Sequence, residues 1–206
     1  MKKEVVLYGA SGHCKVVIEA LQLQEVVINK VLDDHPKQQE ILNIPIQKPS
    51  VLNGKLLKNI IITIGNNKTR KKISADLNAG YARALHPKAI ISRYCSIGDG
   101  SVVLAGAVIN ADTAVGNHCI INTLAVIEHD CKIADFVHIS PKVSLAGNVT
   151  IGEGAHIGIG AFVIPGITIG KWSTIGAGAV ILKDVPDYAV VVGNPGKVIK
   201  YNLKDE

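Results

Sequence analysis

An aliphatic residue recurs at every sixth position through the C-terminal half of the chain. From Ile91 to Ile181, sixteen successive positions with this spacing are all Ile, Val or Leu. A second series of positions stands four residues after each of these, from Cys95 to Val185, and its members are nearly all small or β-branched. Six-residue repeats of this kind are typical of parallel β-helices, in which each short strand pairs with the equivalent strand of the next coil. Three repeats complete one coil, so the pattern predicts a left-handed parallel β-helix of a little over five coils.

The N-terminal part of the chain lacks this period and alternates between strand and helix patterns. A buried strand, the glycine loop GASGH and an amphipathic helix are predicted in succession at 3–23. Two further apolar runs end at Asp34 and Gly65, and a helical pattern follows the second of them. Strands that alternate with helices predict a small Rossmann-like α/β domain with a parallel sheet. We therefore predict this domain at 1–85 and the β-helix domain, with a C-terminal tail, at 86–206.

The composition limits the classes of protein to which the chain can belong. Although 48% of the residues are hydrophobic, no apolar run approaches the ~18 residues that a membrane-spanning helix needs, and no membrane association is expected. The first apolar stretch is short and contains Glu4, which does not fit a signal peptide, so we expect a cytoplasmic location. The net charge of +5 comes from scattered basic residues with one run at Lys68–Lys72. A solvated helix face explains this run better than nucleic-acid binding, because no interleaved aromatic residues accompany it.

Neither the cysteines nor the histidines form a pattern of metal ligands. Cys95, Cys119 and Cys131 belong to the series of small residues and are predicted to point inward as small apolar side chains. His138 and His156 are one coil apart, so we expect them to stack. Stacked histidines leave open a zinc site like that of the β-helical carbonic anhydrases, but the sequence lacks the five-residue spacing of their paired ligands. No bound metal is therefore expected.

Three strand ends of the predicted α/β domain carry residues that suit a nucleotide. The loop around Gly9 and Gly12 follows a strand and opens a helix, where backbone N–H groups can hold a phosphate. This loop is not the GxGxxG fingerprint, and a plain strand-to-helix turn explains it equally well by itself. Asp33 and Asp34 end the second strand, and Gly65 ends the third. These strand ends meet at one edge of a parallel sheet, which favours a nucleotide-linked ligand there.

The segment VIEHDC interrupts the apolar repeat with a pair of titratable residues. His129 and Asp130 are the third and fourth residues of the repeat that begins at Ile127, so they are predicted to lie at a corner of the β-helix. A histidine titrates near neutral pH and can act as a general base, and an adjacent carboxylate can orient it and raise its basicity. From the dipeptide alone, an ordinary surface pair of His and Asp is an equally good interpretation.

The ordered set of motifs resembles a known family. GASGH, LDD, IGNNKTRKK, HPKA, VIEHDC, the six-residue repeats and VVGNPGKVI are together similar to the bacterial sugar acetyltransferases that include the sialic-acid O-acetyltransferase-like proteins. Within this group the chain most resembles the UDP-4-amino-sugar N-acetyltransferases that make bacillosamine-type precursors, over essentially its whole length. The resemblance implies a homotrimer, with an acetyl-CoA pocket between the β-helices of adjacent subunits and the nucleotide sugar held by the α/β domain.

The resemblance also implies the residues that contact the nucleotide sugar. The nucleotide part is implied to contact the first turn after the glycine loop and the ends of the next two strands: Ser11, Gly12, His13, Asp33, Asp34 and Gly65. Asn122 is implied as a contact of the sugar. Uridine as the base, rather than guanine or thymine, is expected by resemblance only.

The catalytic residues and the acetyl-CoA contacts are implied in the same way. His129 would be the general base and Asp130 its partner, at a position where the relatives carry the longer Glu. The acetyl-CoA site would be lined by His138, Gly147, Ile159 and Ala177, the last in place of Gly. The expected activity is acetyl-CoA-dependent N-acetylation of a nucleotide-linked 4-amino-4,6-dideoxy sugar, without a metal. Two alternatives stay open: O-acetylation of a sialic acid or other sugar, and a non-catalytic protein that binds nucleotide sugars.

Overall fold

A computed structural model describes residues 4–52, 57–77 and 79–202 of the chain. Parts of the two predicted domains, at residues 1–3, 53–56, 78 and 203–206, lie outside the described residues. The predicted order, a small α/β domain followed by a parallel β-helix, is confirmed.

The α/β domain contains a six-stranded sheet and two helices. In chain order its elements are β1 (Glu4–Tyr8), α1 (Gly12–Gln22), β2 (Val27–Leu32), β3 (Glu40–Ile41), β4 (Ile44–Gln47), a 3-10 turn (Pro49–Leu52), β5 (Leu57–Ile62), α2 (Asn67–Asp76) and β6 (Ala79–Tyr81). The strand order is β3-β4-β2-β1-β5-β6. Val5 and Leu7 of β1 belong to the same core cluster as α1, whereas Val6 and Tyr8 belong to a second cluster that includes Ile73 of α2. Burial on both faces explains why β1 is a continuous apolar run.

The sheet is parallel except for a hairpin at one edge. The pairs of β1 with β2 and β5, of β2 with β4, and of β5 with β6 are all parallel. β3 and β4 are antiparallel and are joined by Leu42 and Asn43, whose φ angles are 47° and 61°. Two-residue hairpin turns favour such left-handed angles. The sequence lacks the Asn-Gly pair that usually announces this turn, so the hairpin was not predicted.

The β-helix repeats every 18 residues, as the six-residue period predicted. Val102 pairs with Ile120, and Ile120 pairs with His138. The strands are β7 (Ala84–Leu85), β8 (Ile90–Ile91), β9 (Ser96–Ile97), β10 (Val102–Val103), β11 (Val108–Ile109), β12 (Ala114–Val115), β13 (Ile120–Ile121), β14 (Val126–Ile127), β15 (Lys132–Ile133), β16 (His138–Ile139), β17 (Ser144–Leu145), β18 (Thr150–Ile151), β19 (His156–Ile157), β20 (Phe162–Val163), β21 (Thr168–Ile169), β22 (Thr174–Ile175) and β23 (Val180–Ile181).

These strands stack into three parallel faces around one core. Face one contains β7, β10, β13, β16, β19 and β22; face two contains β8, β11, β14, β17, β20 and β23; face three contains β9, β12, β15, β18 and β21. The second residue of each strand points inward with the small-residue series to form a continuous core. Cys119 and Cys131 are fully buried in this core, and Cys95 is partly buried in the first coil, as predicted.

The chain turns at three corners, which are named here by their residues. The aromatic corner lies between faces three and one and carries His118, Phe136 and Trp172, all with positive φ. The His129 corner lies between faces two and three. The Asn122 corner lies between faces one and two. Because the cross-section is a triangle, the His129 corner is the one opposite face one.

The α/β domain packs against face one and the aromatic corner. Ala84, Val102 and Leu104 join the core cluster that contains Val17 and Leu21 of α1. β7 pairs with β10, so the β-helix begins two residues before residue 86.

The basic run at Lys68–Lys72 lies in α2. The prediction that it forms a fully solvated helix face is wrong. Arg70, in the middle of this run, is 1% exposed and donates to backbone carbonyls of the aromatic corner. Lys71 forms an ion pair with Glu153 and lies over the rings of Phe136 and Trp172. The run therefore includes a domain contact, which a helical period alone cannot distinguish from a solvated face.

The C-terminal segment closes the end of face one. β24 (Ala189–Val192) pairs with β22, and β25 (Lys197–Tyr201) pairs antiparallel with β24. Asn202 then folds back and donates to the carbonyl of Trp172 and to Thr174. In the part of the chain described, none of the helices has the length and apolar character needed to span a bilayer.

Candidate active site

The ends of β1, β2 and β5 form a crevice at one edge of the α/β sheet. Gly9 has φ of +107°, and a Cβ there would lie 2.5 Å from Cγ1 of Ile64, so only glycine fits the turn. The hydroxyl of Thr63 lies 3.0 Å from the carbonyl oxygen of Tyr8 and 2.7 Å from that of Gly9. Ser11 precedes α1, which begins at Gly12. The crevice is therefore built where the strand order reverses, the usual ligand position in open α/β sheets.

Both aspartates of the crevice hold its backbone in place. Asp33 accepts from the N–H of Ala10 at 2.7 Å and from the N–H of His35 at 2.9 Å. Asp34 accepts from the hydroxyl of Tyr8 at 2.9 and 3.0 Å. Burial and the neighbouring Asp34 raise the pKa of Tyr8, which keeps its hydroxyl protonated as the donor. Asp33 and Asp34, both predicted to contact the nucleotide, thus lie at the crevice together with Gly12 and Gly65. Each carboxylate already accepts hydrogen bonds from within the protein.

His13 lies in the first turn of α1, close enough to Arg70 and His138 for their charges to interact. Among the described residues, its Nε2 atom is buried without a hydrogen-bond partner. Burial, with a smaller effect of the charge on Arg70, lowers the pKa of His13 to about 4. His13 is therefore a neutral imidazole with one unused polar atom at the junction of the two domains.

A cavity of about 490 Å³ lies between the first turn of α2 and face one. Its walls come from both domains and are Gly65, Asn66, Asn67, Lys68, His138, Gly154, His156, Trp172, Ser173, Thr174 and Asn202. The cavity therefore connects the end of β5 in the α/β domain with the histidines of face one.

The two histidines of this cavity stack as predicted. The rings of His138 and His156 are 4.8 Å apart and nearly parallel. Nε2 of His138 lies 3.2 Å from Nδ2 of Asn122, and Nε2 of His156 lies 2.9 Å from the hydroxyl of Ser140. Burial, then the charges of His156 and Arg70, lower the pKa of His138 to about 3. The pair is neutral at physiological pH. In the described ranges, no three His, Cys, Asp or Glu side chains are grouped as a metal site would require.

His129 is exposed at its own corner and is held by Asp130. Nδ1 of His129 lies 2.7 Å from Oδ2 of Asp130. Because a carboxylate only accepts, Nδ1 carries the proton and Nε2 keeps its lone pair in the neutral ring. The hydrogen bond to Asp130, together with the charges of Asp130 and Glu128, raises the pKa of His129. Glu128 is itself fixed by Asn110, which donates to its carboxylate at 2.7 Å.

Gly147 lies one coil beyond His129 and makes room for its ring. A Cβ at Gly147 would lie 2.6 Å from Cε1 and 2.8 Å from Nε2 of His129. Any larger residue would push the imidazole out of this position. Among the described backbone hydrogen bonds, the N–H of Gly147 donates to no acceptor. The His129 ring thus packs against Gly147, a residue whose backbone N–H has no acceptor among these bonds.

One chain does not bring all the predicted site residues together. The crevice and His138 lie on the side of face one, whereas His129 and Gly147 lie at the corner opposite that face. Ile159 and Ala177 lie at the Asn122 corner, with Asn122 itself. Each face is about five extended residues wide, roughly 16 Å, so the two groups of residues are separated by the body of the β-helix.

Sequence reasoning missed the residues that join the domains. Arg70 and Asn67 of α2 donate to carbonyls of the β-helix, and neither was singled out. A basic residue within a helical period gives no signal of burial, because Arg is rarely buried. Thr63 was missed because it follows the apolar run without forming a motif.

Two family models match the chain. The first, described as the PglD N-terminal domain, matches residues 4–77. The second, described as bacterial transferase hexapeptide, matches 148–183. These matches fall on the two structural domains.

Solved structures match nearly the whole chain. A variant of perosamine N-acetyltransferase from Caulobacter crescentus, in complex with CoA and GDP-perosamine, is 36% identical with a TM-score of 0.91 and covers 96% of this chain and 97% of its own. The chain belongs to this family of sugar N-acetyltransferases. The acetyltransferase domain of PglB from Neisseria gonorrhoeae, in complex with acetyl coenzyme A, belongs with it at 36% identity and a TM-score of 0.88, covering 97% and 100% of the two chains.

A curated member of the family gives a shorter match. UDP-N-acetylbacillosamine N-acetyltransferase from Bacillus subtilis is 41% identical over 113 residues, which is 50% of this chain. The match spans about half the length of that relative, 52%. The family predicted from the motifs is thereby confirmed.

Proposed function

We propose that this protein is an acetyl-CoA-dependent N-acetyltransferase that acetylates the amino group of a nucleotide-linked 4-amino-4,6-dideoxy sugar, with UDP as the nucleotide. The observation that carries the proposal is the hydrogen bond between His129 and Asp130 beside the free N–H of Gly147. A base and a backbone donor side by side suit acyl transfer, in which a proton leaves the nucleophile while negative charge develops on the carbonyl oxygen. Family membership supplies the class of reaction, and no metal is needed.

The reaction is a direct transfer between two bound substrates. The amine attacks the thioester carbonyl, and a C–N bond forms while Nε2 of His129 takes the proton from the amine. The N–H of Gly147 stabilises the oxyanion, the C–S bond then breaks, and the proton passes to the departing thiolate. No cysteine takes part as a nucleophile. Burial raises the pKa of Cys119 to about 12 and also raises that of Cys131, so both stay as inert thiols.

We further propose that the active protein is a homotrimer and that the site is shared between copies. The separation of the crevice from His129 supports this arrangement, because one copy cannot present its own nucleotide sugar to its own base. A neighbouring copy can place His129 and Gly147 against face one and the Asn122 corner of the first. The acetyl-CoA contacts at His138, Ile159 and Ala177 would then complete the site with Gly147 of the neighbour. A cytoplasmic location goes with these two substrates and stays a prediction, as does the absence of nucleic-acid and membrane partners.

The roles of the crevice residues follow from the same proposal. Ser11, Gly12 and His13 would hold the nucleotide part, and the unused Nε2 of His13 supports a ligand contact there. Asp33, Asp34 and Gly65 would complete the pocket, and Asn122 would contact the sugar. The relatives with GDP-perosamine bound show that the base varies within the family, so the choice of UDP depends on the resemblance to the bacillosamine enzymes.

Turnover with a panel of acceptors tests the activity. Purified protein with acetyl-CoA is expected to release thiol with a UDP-linked amino sugar, and more slowly with the GDP- and dTDP-linked equivalents. His129→Ala is expected to lower kcat by roughly 10²- to 10⁴-fold, the usual effect of losing a general base. His86→Ala, a histidine outside the site, is the matched control and is expected to leave kcat unchanged. Thiol release only with hydroxyl acceptors would replace the proposal by O-acetylation, and binding without release by a non-catalytic function.

A further inference from the structure

Arg70 of α2 uses all five of its N–H donors inside the protein. Nε donates to the carbonyl of His118 at 2.8 Å. Nη1 donates to the carbonyls of Ile64 and Gly65 at 2.9 and 3.2 Å. Nη2 donates to Oδ1 of Asn67 and to the carbonyl of Phe136 at 2.8 and 2.9 Å. Arg70 is 1% exposed, so water has almost no access to these hydrogen bonds.

The acceptors of Arg70 lie on segments from both domains. Ile64 and Gly65 form the loop after β5, on the wall of the crevice. His118 and Phe136 are on successive coils of the aromatic corner. The flat guanidinium group has fixed angles between its donors, so it sets the distance between the crevice loop and the β-helix to within a few tenths of an ångström.

Asn67 extends the same connection by one coil. Its Nδ2 donates to the carbonyls of Gly154 and Ala155 at 3.0 and 3.2 Å, while its Oδ1 accepts from Arg70. The first turn of α2 therefore reaches three successive coils through two side chains.

The charge of Arg70 lacks the partner that a buried cation usually has. None of the described carboxylates forms an ion pair with it. Burial lowers the pKa of Arg70 to about 10, which still leaves it charged at neutral pH. Burying an unpaired charge is costly, and apolar side chains would join two domains at lower cost. Apolar packing, however, cannot fix the positions of individual backbone carbonyls, whereas directed hydrogen bonds from a guanidinium group can.

The positions of these carbonyls matter because the cavity has walls from both domains. Gly65 and the first turn of α2 form one side, and His138, His156 and Trp172 form the other. The spacing between the crevice and the histidines of face one therefore depends on how the domains dock. The charge of Arg70 also favours the neutral forms of His13 and His138.

We infer that Arg70 is a positioning residue that acts through Gly65: its guanidinium sets the nucleotide-sugar crevice in register with face one of the β-helix. This role rests on the proposed function, since it concerns where the sugar of the bound nucleotide comes to lie. Of the residues proposed for acetyl-CoA, Gly147, Ile159 and Ala177 lie at the His129 and Asn122 corners, away from the aromatic corner that Arg70 contacts, and His138 alone lines the shared cavity. Loss of the guanidinium should therefore disturb the position of the nucleotide sugar and leave acetyl-CoA binding nearly unchanged.

Steady-state kinetics on Arg70→Lys and Arg70→Met test this. We expect both variants to raise KM for the nucleotide sugar by roughly 10- to 100-fold, the scale of a misplacement of about 1 Å, with KM for acetyl-CoA unchanged. A purely structural role would lower the amount of folded enzyme, and hence Vmax, without moving either KM. Lys71→Ala is the matched control, because Lys71 lies in the same helix and domain contact but binds the side chains of Glu153, Phe136 and Trp172 and not the crevice loop; both KM values should stay as in the wild type. If Arg70→Lys keeps the wild-type KM for the nucleotide sugar, the proposed positioning role of the guanidinium group is wrong.

Asn67→Ala keeps the test decisive if the Arg70 variants do not fold. It removes one acceptor of Arg70 and the bonds to Gly154 and Ala155, and it is expected to raise KM for the nucleotide sugar by several-fold with KM for acetyl-CoA unchanged. An unchanged KM for the nucleotide sugar in this variant would also contradict the inference. Failure of the proposed function is a separate result, because the wild-type protein would then acetylate none of the amino sugars.

Discussion

At the scale of single residues, the candidate chemistry depends on one imidazole and its neighbours. Asp130 holds Nδ1 of His129, and Gly147 leaves space for the ring. The raised pKa of His129 makes Nε2 a stronger base, but it also means that the neutral form is lost at a higher pH. The rate should therefore fall as pH decreases through a value above the ordinary pKa of histidine. The buried His13 and His138 stay neutral through this range and should not contribute to the acid limb.

Asp130→Asn tests this assignment through the pH dependence of kcat/KM. Loss of the carboxylate removes the main cause of the raised pKa, so the acid limb is expected to move to lower pH while the maximal rate decreases. Asp112→Asn is the control, because Asp112 has the same corner position one coil earlier and a similar φ of 58°. An acid limb that stays in place in Asp130→Asn would show that another group titrates.

At the scale of elements, most two-residue strands divide their side chains between core and surface, whereas β10 and β13, on face one, are buried at both residues. In β15, Ile133 is 3% exposed within the core, whereas its neighbour Lys132 is exposed. A strand this short has almost no stability of its own, and the stacked inner residues hold the coils together. The stability of the β-helix should therefore depend on the inner series and hardly at all on those outer residues that are exposed.

Ile133→Ala and Lys132→Ala compare the two positions within one strand. We expect Ile133→Ala to lower the free energy of unfolding by about 2–5 kcal/mol, because it leaves a cavity in the core. Lys132→Ala is expected to change it by less than about 0.5 kcal/mol. Denaturant unfolding at one fixed protein concentration measures both, and equal effects of the two substitutions would contradict the division of roles.

At the scale of the whole molecule, the α/β domain and His129 lie on opposite sides of the β-helix. In the proposed trimer, the cavity beside His138 belongs to one copy and the base comes from another. This arrangement would make the site dependent on assembly, and it explains why the α/β domain is fixed so firmly by Arg70 and Asn67. A loosely attached domain could not present a sugar to a neighbouring chain.

Mixed assemblies of two inactive variants test whether the site is shared. His13→Ala impairs the crevice and His129→Ala removes the base, and each variant alone should keep only a small residual activity. After unfolding and refolding together in equal amounts, about one quarter of the contacts between copies should join an intact crevice to an intact base. Activity should therefore return to about one quarter of the wild-type value. Inactive mixtures would indicate that each chain uses its own His129, and mixing without refolding is the control.

The sequence by itself determined the β-helix, its 18-residue coil, the inward cysteines and the corner position of His129. It could do so because a repeating coil places each residue by its number within the period, so local pattern and tertiary position are the same information. Three strands and both helices of the α/β domain followed in the same way from apolar period, but the edge hairpin at Leu42 and Asn43 and the edge strand β6 (Ala79–Tyr81) did not. The motifs also indicated the family, since they occur in one order along the whole chain.

Only the tertiary structure decided how the two domains meet. The burial of Arg70 within a basic run, the cavity between α2 and face one, and the separation of the crevice from His129 depend on contacts between residues that are distant in sequence. Arg70 and Phe136, for example, are 66 positions apart. The pattern of apolar and polar residues cannot predict such a contact. The acceptors are backbone carbonyls, and every residue has one. The docking of the domains therefore depends on where the fold places backbone carbonyls in space, and the pattern of side chains along the sequence does not contain that information.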